Sequence, residues 1–391
     1  NAALGRALTL EETAQVDTGT DAFGVNDTID FDAALSGGTI LLTMGQMGIT
    51  DSLTIDASSL ASGLTIDASG NDPTPDENNG DGSRIFNIND GDSATKLSVE
   101  LRSLTLTGGD VAGGGGAIFS QEHLSVIDST ILGNSAGSGG GIFANRGTTN
   151  ITDSTISGNS AGGDGGGISA YAYFSSFTLN ITDSTISGNS AGGDGGGISY
   201  ATLLCTLNIT DSTISGNSSG GWGGGIYAVN GTTNITGSTI SGNSANFSGG
   251  GIRSTRTTNI TGSTIYGNRA DADDNGFGAA GGLSGTAAGS ILDHTIVAGN
   301  LRGLATHDDI KGLIDATYSL VGDDTGATIT DNGGNLIGTS GAPIDPLLGP
   351  LDDNGGPTET HALLVGSPAI DAGDMNAMAG VDDVPLYDQR G

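Results

Sequence analysis

The sequence predicts an all-β fold, a right-handed parallel β-helix (solenoid) with irregular N-terminal coils and a C-terminal cap. Three observations indicate this fold. A segment recurs every 25 to 32 residues, isoleucine alternates with serine or threonine inside each copy, and glycine makes up 72 of the 391 residues against 8 prolines. A fixed period in this range is typical of solenoids, and so much glycine is incompatible with ordinary packed helices.

The repeat is marked by the segment Asn-Ile-Thr-Asp-Ser-Thr-Ile-Ser-Gly-Asn-Ser, which occurs at 150–160, 180–190 and 208–218. A second marker, Gly-Gly-Gly-Ile, lies between successive copies. Because one coil cannot bury its own apolar face, we expect coils to stack at about 4.8 Å around a shared aliphatic interior. The closing asparagine recurs at steps of 25, 30, 28, 26 and 25 residues, at Asn134, Asn159, Asn189, Asn217, Asn243 and Asn268.

Each coil is predicted to hold three short strands, for example around Ile168, around Ile181 and over 184–187. The two-residue alternation places isoleucine inside and threonine outside. Corners between strands need a positive φ, which glycine adopts freely and asparagine tolerates. An asparagine at one corner of every coil can also bond to its counterparts above and below, so the repeated asparagines are predicted to form an internal hydrogen-bonded ladder.

The chain divides into four parts on this pattern. Residues 1–20 are predicted to be an N-terminal cap or an extended arm, and 21–110 to be irregular coils of the same solenoid. Residues 111–300 carry the regular repeats, and 301–391 are predicted to be C-terminal coils and a cap. An apolar arm could add to the strand edge of a second copy, so self-association is an expectation.

Composition restricts the partners. The chain carries 11 basic against 44 acidic residues, a net charge of -33, which opposes binding to nucleic acid or anionic membranes. No stretch approaches the roughly 20 apolar residues that span a bilayer. The single cysteine, Cys205, cannot form an internal disulfide and is predicted to be buried.

The repeat resembles that of secreted bacterial β-helix proteins with polymorphic-outer-membrane-protein-like repeats, whose units carry Gly-Gly-x-Ile and Gly-Asn-x-Ala. The segments 345–350, 353–358 and 366–373 look like the region that precedes the anchor in choice-of-anchor β-helix proteins. The resemblance implies export, and a location outside the cell or on the surface of a bacterium. It implies no particular chemistry, and the CSLREA hallmark of many such proteins is absent from the sequence.

Two acidic patterns suggest calcium. Asp271, Asp273 and Asn275 precede a glycine in the manner of the opening of an EF-hand-like loop, although residue 282, where a bidentate glutamate would stand, is glycine. The second pattern is a file of aspartates at one position of successive coils, which either binds a cation or consists of solvated turn residues. The file comprises Asp128, Asp153, Asp183 and Asp211. The acidic loop 76–81 is interpreted as a solvated insertion.

Aromatic residues are concentrated in two neighbouring coils of a chain that is only 4% aromatic. Such a cluster could stack on sugar rings or contact a cell-surface partner, and it could equally pack over the adjacent coil. These candidate binding residues are Tyr171, Tyr173, Phe174, Phe177, Tyr200 and Trp222.

No catalytic residues are assigned in the favoured interpretation, a structural or adhesive β-helix that assembles into a filament or coat. In the alternative, a polysaccharide lyase or other glycan-active enzyme, the catalytic candidates are Arg253, Arg256 and Arg269, for which surface pairing with aspartate is the simpler explanation. A third interpretation is ice binding by an outward threonine file, which β-propensity alone also explains. The file comprises Thr155, Thr185, Thr213, Thr239 and Thr264.

Overall fold

The computed structural model describes residues 27–92, 95–171, 176–201, 205–285, 289–376 and 388–390. Within these ranges the chain is all-β, with two short 3-10 helices, Ala33–Leu35 and Ser69–Asn71. The strands pair in parallel from coil to coil and form a β-helix, as the repeat predicted. The predicted arm at 1–20 and the aromatic residues Tyr173 and Phe174 lie outside the described residues.

Each regular coil contains four strands rather than the three expected from the sequence. One coil runs through Phe177–Thr182, Thr185–Ser187, Ser190–Ala191 and Ile198–Ala201. The additional strand, Ser190–Ala191, pairs with Ser160–Ala161 below and with Ser218–Ser219 above. Two residues are too short to show an alternation of apolar and polar side chains, which is why this strand was not evident in the sequence.

Four faces therefore run along the solenoid, and we number them in chain order within a coil. Face 1 comprises Asp27–Asp30, Leu53–Asp56, Ser98–Arg102, His123–Ile127, Gly147–Thr152, Phe177–Thr182, Thr206–Thr210, Thr232–Thr236, Thr258–Thr261, Ser290–Asp293, Ile310–Thr317 and Ala327–Asp331. Face 2 comprises Thr39–Leu41, Leu64–Asp67, Leu104–Thr107, Thr130–Leu132, Thr155–Ser157, Thr185–Ser187, Thr213–Ser215, Thr239–Ser241, Thr264–Tyr266, Ile296–Ala298, Leu320–Val321 and Leu336–Ile337.

The other two faces start later along the chain. Face 3 comprises Asp110–Gly114, Ser135–Ser138, Ser160–Ala161, Ser190–Ala191, Ser218–Ser219, Ser244–Ala245, Arg269–Ala270, Leu301–Arg302 and, antiparallel at its end, Thr306–His307. Face 4 comprises Met47–Ile49, Phe86–Ile88, Ile118–Ser120, Ile142–Ala144, Ile168–Ala170, Ile198–Ala201, Ile226–Val229, Ile252–Ser254, Leu283–Ser284 and the first residues of Ile310–Thr317.

Columns of isoleucine fill the interior. On face 4 the residues Ile168, Ile198 and Ile226 are direct partners on adjacent strands, and all three are fully buried. Faces 1 and 2 contribute equivalent columns, for example at Ile181 and Ile186. Since each column adds one methyl-rich side chain per coil, the apolar contacts that hold a coil are made mainly with its two neighbours.

A ladder of buried asparagines lines the corner between faces 2 and 3. The Nδ2 of Asn189 donates to Oδ1 of Asn217 at 2.9 Å, and the same oxygen accepts the backbone N–H of Asn189 at 2.9 Å. This pattern joins Asn134, Asn159, Asn189, Asn217, Asn243 and Asn268, and it continues to Asn300. The ladder ends on a carboxylate, because Asn300 donates its Nδ2 to Oδ1 of Asp309 at 2.8 Å.

Positive φ angles occur at the corners between faces 1 and 2, between faces 2 and 3 and between faces 3 and 4, but not at the ladder asparagines. Between faces 2 and 3 the glycine before each asparagine takes this conformation, for example Gly188 at 62°. Between faces 1 and 2 an aspartate does so, with φ of 49° at both Asp153 and Asp183. The short polar side chain of aspartate makes it one of the few residues that tolerate this region, which explains why the corner position also accepts glycine at Gly237.

The C-terminal segment lies along the side of the solenoid, over face 2. After the last strand of face 2, an antiparallel pair, Leu348–Asp352 and Thr360–Leu363, returns over earlier coils. The Thr213 hydroxyl donates to the carbonyl oxygen of Glu359 at 2.6 Å, although the two residues are 146 positions apart. Gln389 extends these contacts, because it accepts from the Thr239 hydroxyl at 2.7 Å. The segment predicted as a cap therefore covers part of a flank.

Candidate functional site

Two of the predicted binding aromatics belong to the core. Phe177 and Tyr200 are 1% and 0% exposed, and the Tyr200 hydroxyl donates to the carbonyl oxygen of Phe177 at 3.3 Å. The neighbouring coils leave room for them, since Tyr200 stands between Ala170 and Ala228 on adjacent strands. These two side chains are thus placed to fill the interior and not to meet a ligand.

Trp222 has a different position, on the surface at the corner between faces 3 and 4. It is 41% exposed, and its ring lies 5.1 Å from that of Phe247, which is 37% exposed. Trp222 also stacks with Tyr227 at a centroid distance of 6.5 Å and an interplanar angle of 18°. We call Trp222, Tyr227 and Phe247 the aromatic platform. Three rings from two successive coils thus cluster at the surface of a chain with few aromatics.

Aspartates fix this platform from below. The backbone N–H of Trp222 donates to Oδ1 of Asp194 at 2.8 Å, and the N–H of Asp194 donates to Oδ1 of Asp164 at the same distance. Burial raises the pKa of Asp194, and it also raises the pKa of Tyr227, with the nearby Asp194 carboxylate as a further cause. The backbone of Trp222 is therefore held by an aspartate side chain of the preceding coil, and the Tyr227 phenol stays neutral at physiological pH.

A polar cleft adjoins the platform along face 4. Arg253 is the direct strand partner of Tyr227, and its Nη1 donates to the carbonyl oxygen of Ser284 at 3.1 Å. Lys311 stands further along the same face, opposite Ser284. The cleft has a volume of about 420 Å³, and its lining is Ser248, Arg253, Ser284, Gly285, Lys311, Gly312, Leu313, Gly326 and Thr328. Among the described residues, this lining carries two cationic side chains and no carboxylate, in contrast to the net charge of the chain.

The three arginines of the alternative enzymatic interpretation have separate surroundings. Arg253 lines the cleft, whereas Arg256 is exposed beyond the end of its face 4 strand. Arg269 lies on face 3, where its Nη2 donates to the carbonyl oxygen of Ala272 at 2.9 Å. The described lining of the cleft is positively charged and does not contain the pair of carboxyl groups that glycoside hydrolysis uses.

The EF-hand-like loop closes on itself. The Asp271 carboxylate accepts the backbone N–H groups of Asn275 and Gly276, at 3.0 Å and 3.1 Å from Oδ1. The Asp273 carboxylate in turn accepts from Nδ2 of Asn275 at 2.6 Å. The loop is thus held by hydrogen bonds among its own residues, and calcium binding by Asp271, Asp273 and Asn275 stays a prediction.

The corner aspartates lie between faces 1 and 2 and become less exposed towards the C-terminal tail. Asp128 and Asp153 are exposed, whereas Asp183 and Asp211 are half-buried. Burial raises the pKa of Asp211 to about 6, helped by the neighbouring carboxylates of Asp183 and Asp388. The tail covers the last aspartate of the file, Asp211, and the next two coils have glycine at this position, Gly237 and Gly262.

The tail also interrupts the threonine file of face 2. The five threonines are in register, but Thr213 and Thr239 are 0% and 2% exposed because Glu359 and Gln389 bond to their hydroxyls. Of the file, Thr155, Thr185 and Thr264 remain half-buried. A long flat row of exposed hydroxyls, as ice binding would need, is thus broken in its middle.

Sequence reasoning missed Tyr227, Phe247 and Lys311. A usable signal existed for the first of them, since Tyr227 directly follows the isoleucine of Gly-Gly-Gly-Ile in its coil, as Arg253 does in the next. This register alone places both side chains on the outer surface of face 4. Lys311 lies beyond the regular repeat, where no marker fixes its register.

Comparison with known proteins gives a match at the repeat. Residues 153–171, 183–200 and 211–229 match the Chlamydia polymorphic membrane protein repeat. Each stretch begins at the corner aspartate and extends to face 4 of the same coil. No curated protein and no solved structure matches the chain significantly. The chain is therefore a β-helix with polymorphic-membrane-protein-like repeats.

Proposed function

We propose that this chain is an adhesive β-helix of a bacterial cell surface that binds acidic polysaccharide through the aromatic platform and the adjoining cleft. The surface location rests on the match to polymorphic membrane protein repeats and on the choice-of-anchor-like tail. No helix of the described residues is long and apolar enough to cross a bilayer. The adhesive role rests on the aromatic and cationic side chains of the platform and the cleft.

The observation that carries the proposal is the juxtaposition of Trp222 and Phe247 with Arg253 and Lys311. Aromatic faces stack on the apolar C–H faces of sugar rings, and this contact does not depend on one particular sugar. Guanidinium and ammonium groups bind carboxylate or sulfate, which neutral sugars lack. In a chain of net charge -33, a cleft whose described lining has two cationic residues and no carboxylate is a local exception that favours an anionic ligand.

The test is binding to immobilised acidic polysaccharides, pectate and alginate, beside a neutral polysaccharide. We expect Trp222→Ala and Lys311→Gln each to weaken binding to the acidic polymers by about tenfold, which is the effect of losing about 1.4 kcal/mol. Trp222→Tyr keeps an aromatic face and should retain most of the binding. Met44→Ala is the matched control, because Met44 is 97% exposed and lies on an irregular coil before residue 110.

The outcomes separate the two parts of the proposal. Equal binding by Trp222→Ala and the wild type would show that the platform is not part of the binding site. Equal binding to neutral and acidic polymers would remove the charge requirement. Unsaturated products or new reducing ends in the same incubations would support the enzymatic alternative instead of adhesion.

End-to-end assembly remains a second proposal, carried by the last strands of the solenoid. Ala327–Asp331 and Leu336–Ile337 each pair on one side only within the described residues. Strand edges of this kind can add a second copy. Sedimentation velocity should then show association that increases with concentration, and a monomer at every concentration would refute it.

A further inference from the structure

Three carboxylates from distant parts of the sequence converge at the N-terminal end of face 3. Asp72 and Asp81 flank the loop 72–81, and Asp110 begins the strand Asp110–Gly114. One oxygen from each lies within 4.8 Å of the others. Among the described residues, no lysine or arginine forms an ion pair with any of the three. Three like charges at this separation repel unless a cation lies between them.

The deepest of the three is incompletely bonded. Asp110 is 4% exposed, its Oδ2 accepts the backbone N–H of Gly80 at 2.6 Å, and its Oδ1 is buried with no hydrogen-bond partner. Leaving a charged oxygen buried without a partner is costly, because the lost hydration is not replaced. A bound cation among the three carboxylates would supply that partner.

The loop is built to approach this point closely. Gly80 has a φ of +80°, and a Cβ on it would stand 2.7 Å from the backbone nitrogen of Ala112. A side chain at this position would push the loop off face 3 and carry Asp81 away. Thr74 adds a further bond inside the loop, since its hydroxyl lies 3.2 Å from both oxygens of Asp81. The convergence therefore depends on particular residues of the loop and is more than a chance meeting of surface acids.

We propose that Asp72, Asp81 and Asp110 form a Ca²⁺ site that fastens the loop 72–81 to the side of the solenoid. Ca²⁺ binds oxygen ligands at about 2.3–2.6 Å, so ligands on opposite sides of the ion are about 5 Å apart, and oxygens within 4.8 Å of one another can all reach one ion. Three carboxylates and a flexible loop suit Ca²⁺ better than Mg²⁺, which demands a tighter octahedron. The site is separate from the platform and the cleft.

The experiment is calorimetric titration of the whole chain with CaCl₂ in about 0.15 M NaCl, which screens diffuse attraction to the acidic surface. We expect one saturable site, and Asp110→Asn or Asp81→Asn should weaken it by about tenfold or more. Asp76→Asn removes an exposed charge from the same loop, and Asp273→Asn removes one from the EF-hand-like loop. Both control variants should bind as the wild type does.

Thermal unfolding and circular dichroism distinguish loss of the Ca²⁺ site from misfolding of a variant. Saturating Ca²⁺ should raise the thermal midpoint of the wild type and of both controls but not of Asp110→Asn, whose circular dichroism should match the wild type. Wild-type affinity in Asp110→Asn would overturn the proposal, as would a loss of the site in Asp273→Asn alone. Absence of a saturable site up to about 10 mM Ca²⁺, beyond the range of weak extracellular modules, would also overturn it.

Discussion

Asp309, which ends the asparagine ladder, makes the solenoid less stable at high pH. Its side chain is fully buried and accepts two N–H groups of Asn300, at 2.6 Å and 2.8 Å from Oδ1. Burial raises the pKa of Asp309 from 3.8 to about 7, with the nearby Asp323 as a further cause. Between these two values the native protein keeps a proton that the unfolded chain has lost, so stability falls as pH rises.

The size of the effect follows from that difference. The two pKa values differ by about three units, and one unit corresponds to about 1.4 kcal/mol, so ionising Asp309 costs about 4 kcal/mol of stability once the pH passes 7. At about pH 4.5 the cost is only about 1 kcal/mol, because the native carboxyl is still protonated and the pH is less than one unit above the unfolded pKa of 3.8. Below pH 3.8 both states are protonated and the cost vanishes.

Asp309→Asn removes this penalty and keeps the ladder. The amide oxygen can accept from Asn300 as Oδ1 of Asp309 does, and no charge is buried at any pH. We expect the variant to exceed the wild type in free energy of unfolding by about 3 kcal/mol more at pH 8 than at pH 4.5. Guanidinium unfolding at both pH values measures this difference.

The control for other titrating groups is Asp315→Asn, an exposed carboxylate on the same strand, Ile310–Thr317. It should change the free energy of unfolding by a similar small amount at both pH values. A gain in Asp309→Asn that is the same at pH 4.5 and pH 8 would refute the reasoning, since a merely better-packed amide would stabilise the protein independently of pH.

Three further variants test other parts of the structure. Asn217→Ala removes four buried hydrogen bonds of the ladder and should cost about 2–4 kcal/mol in guanidinium unfolding; a loss under about 0.5 kcal/mol would contradict the ladder. Gln389→Ala should release the tail from face 2, so that hydrogen exchange and proteolysis increase in 345–376 while the solenoid core stays protected; unchanged protection would count against that contact. Asp183→Gly should change stability by less than about 1 kcal/mol, because its φ of 49° suits glycine, and any gain should shrink with salt, as thermal unfolding at two ionic strengths would show.

The fold was predictable because its physical cause is local and repeated. Ile156, Ser157 and Asn159 recur in coil after coil, so a single alternation and a single corner account for many strands. The short strand Ser160–Ala161 carries no alternation, and the tail contacts of Gln389 join residues more than 140 positions apart with no periodic signal. The Gln389 contacts depend on which face the chain packs against after the last coil, and the repeat carries no information about that.

The positions of candidate site residues could be predicted only where those residues lie within the regular repeat. Phe177 and Tyr200 stood out in the sequence as aromatics, yet small neighbours such as Gly147 and Ala170 leave space for them inside. Asp72 and Asp110 belong to irregular coils, where no period relates one residue to the next. Their convergence depends on the course of a loop, which local propensity does not determine.

The return of the tail along face 2 determines where the chain leaves the solenoid. Residues 388–390 lie beside Thr213 and Thr239, on a flank about midway along the regular coils. A tether attached to residues 388–390 would therefore depart sideways and hold the rod across its length, with both tips free to project. A tether fixed at one tip would instead present the rod end-on, so the two attachments should orient the platform differently.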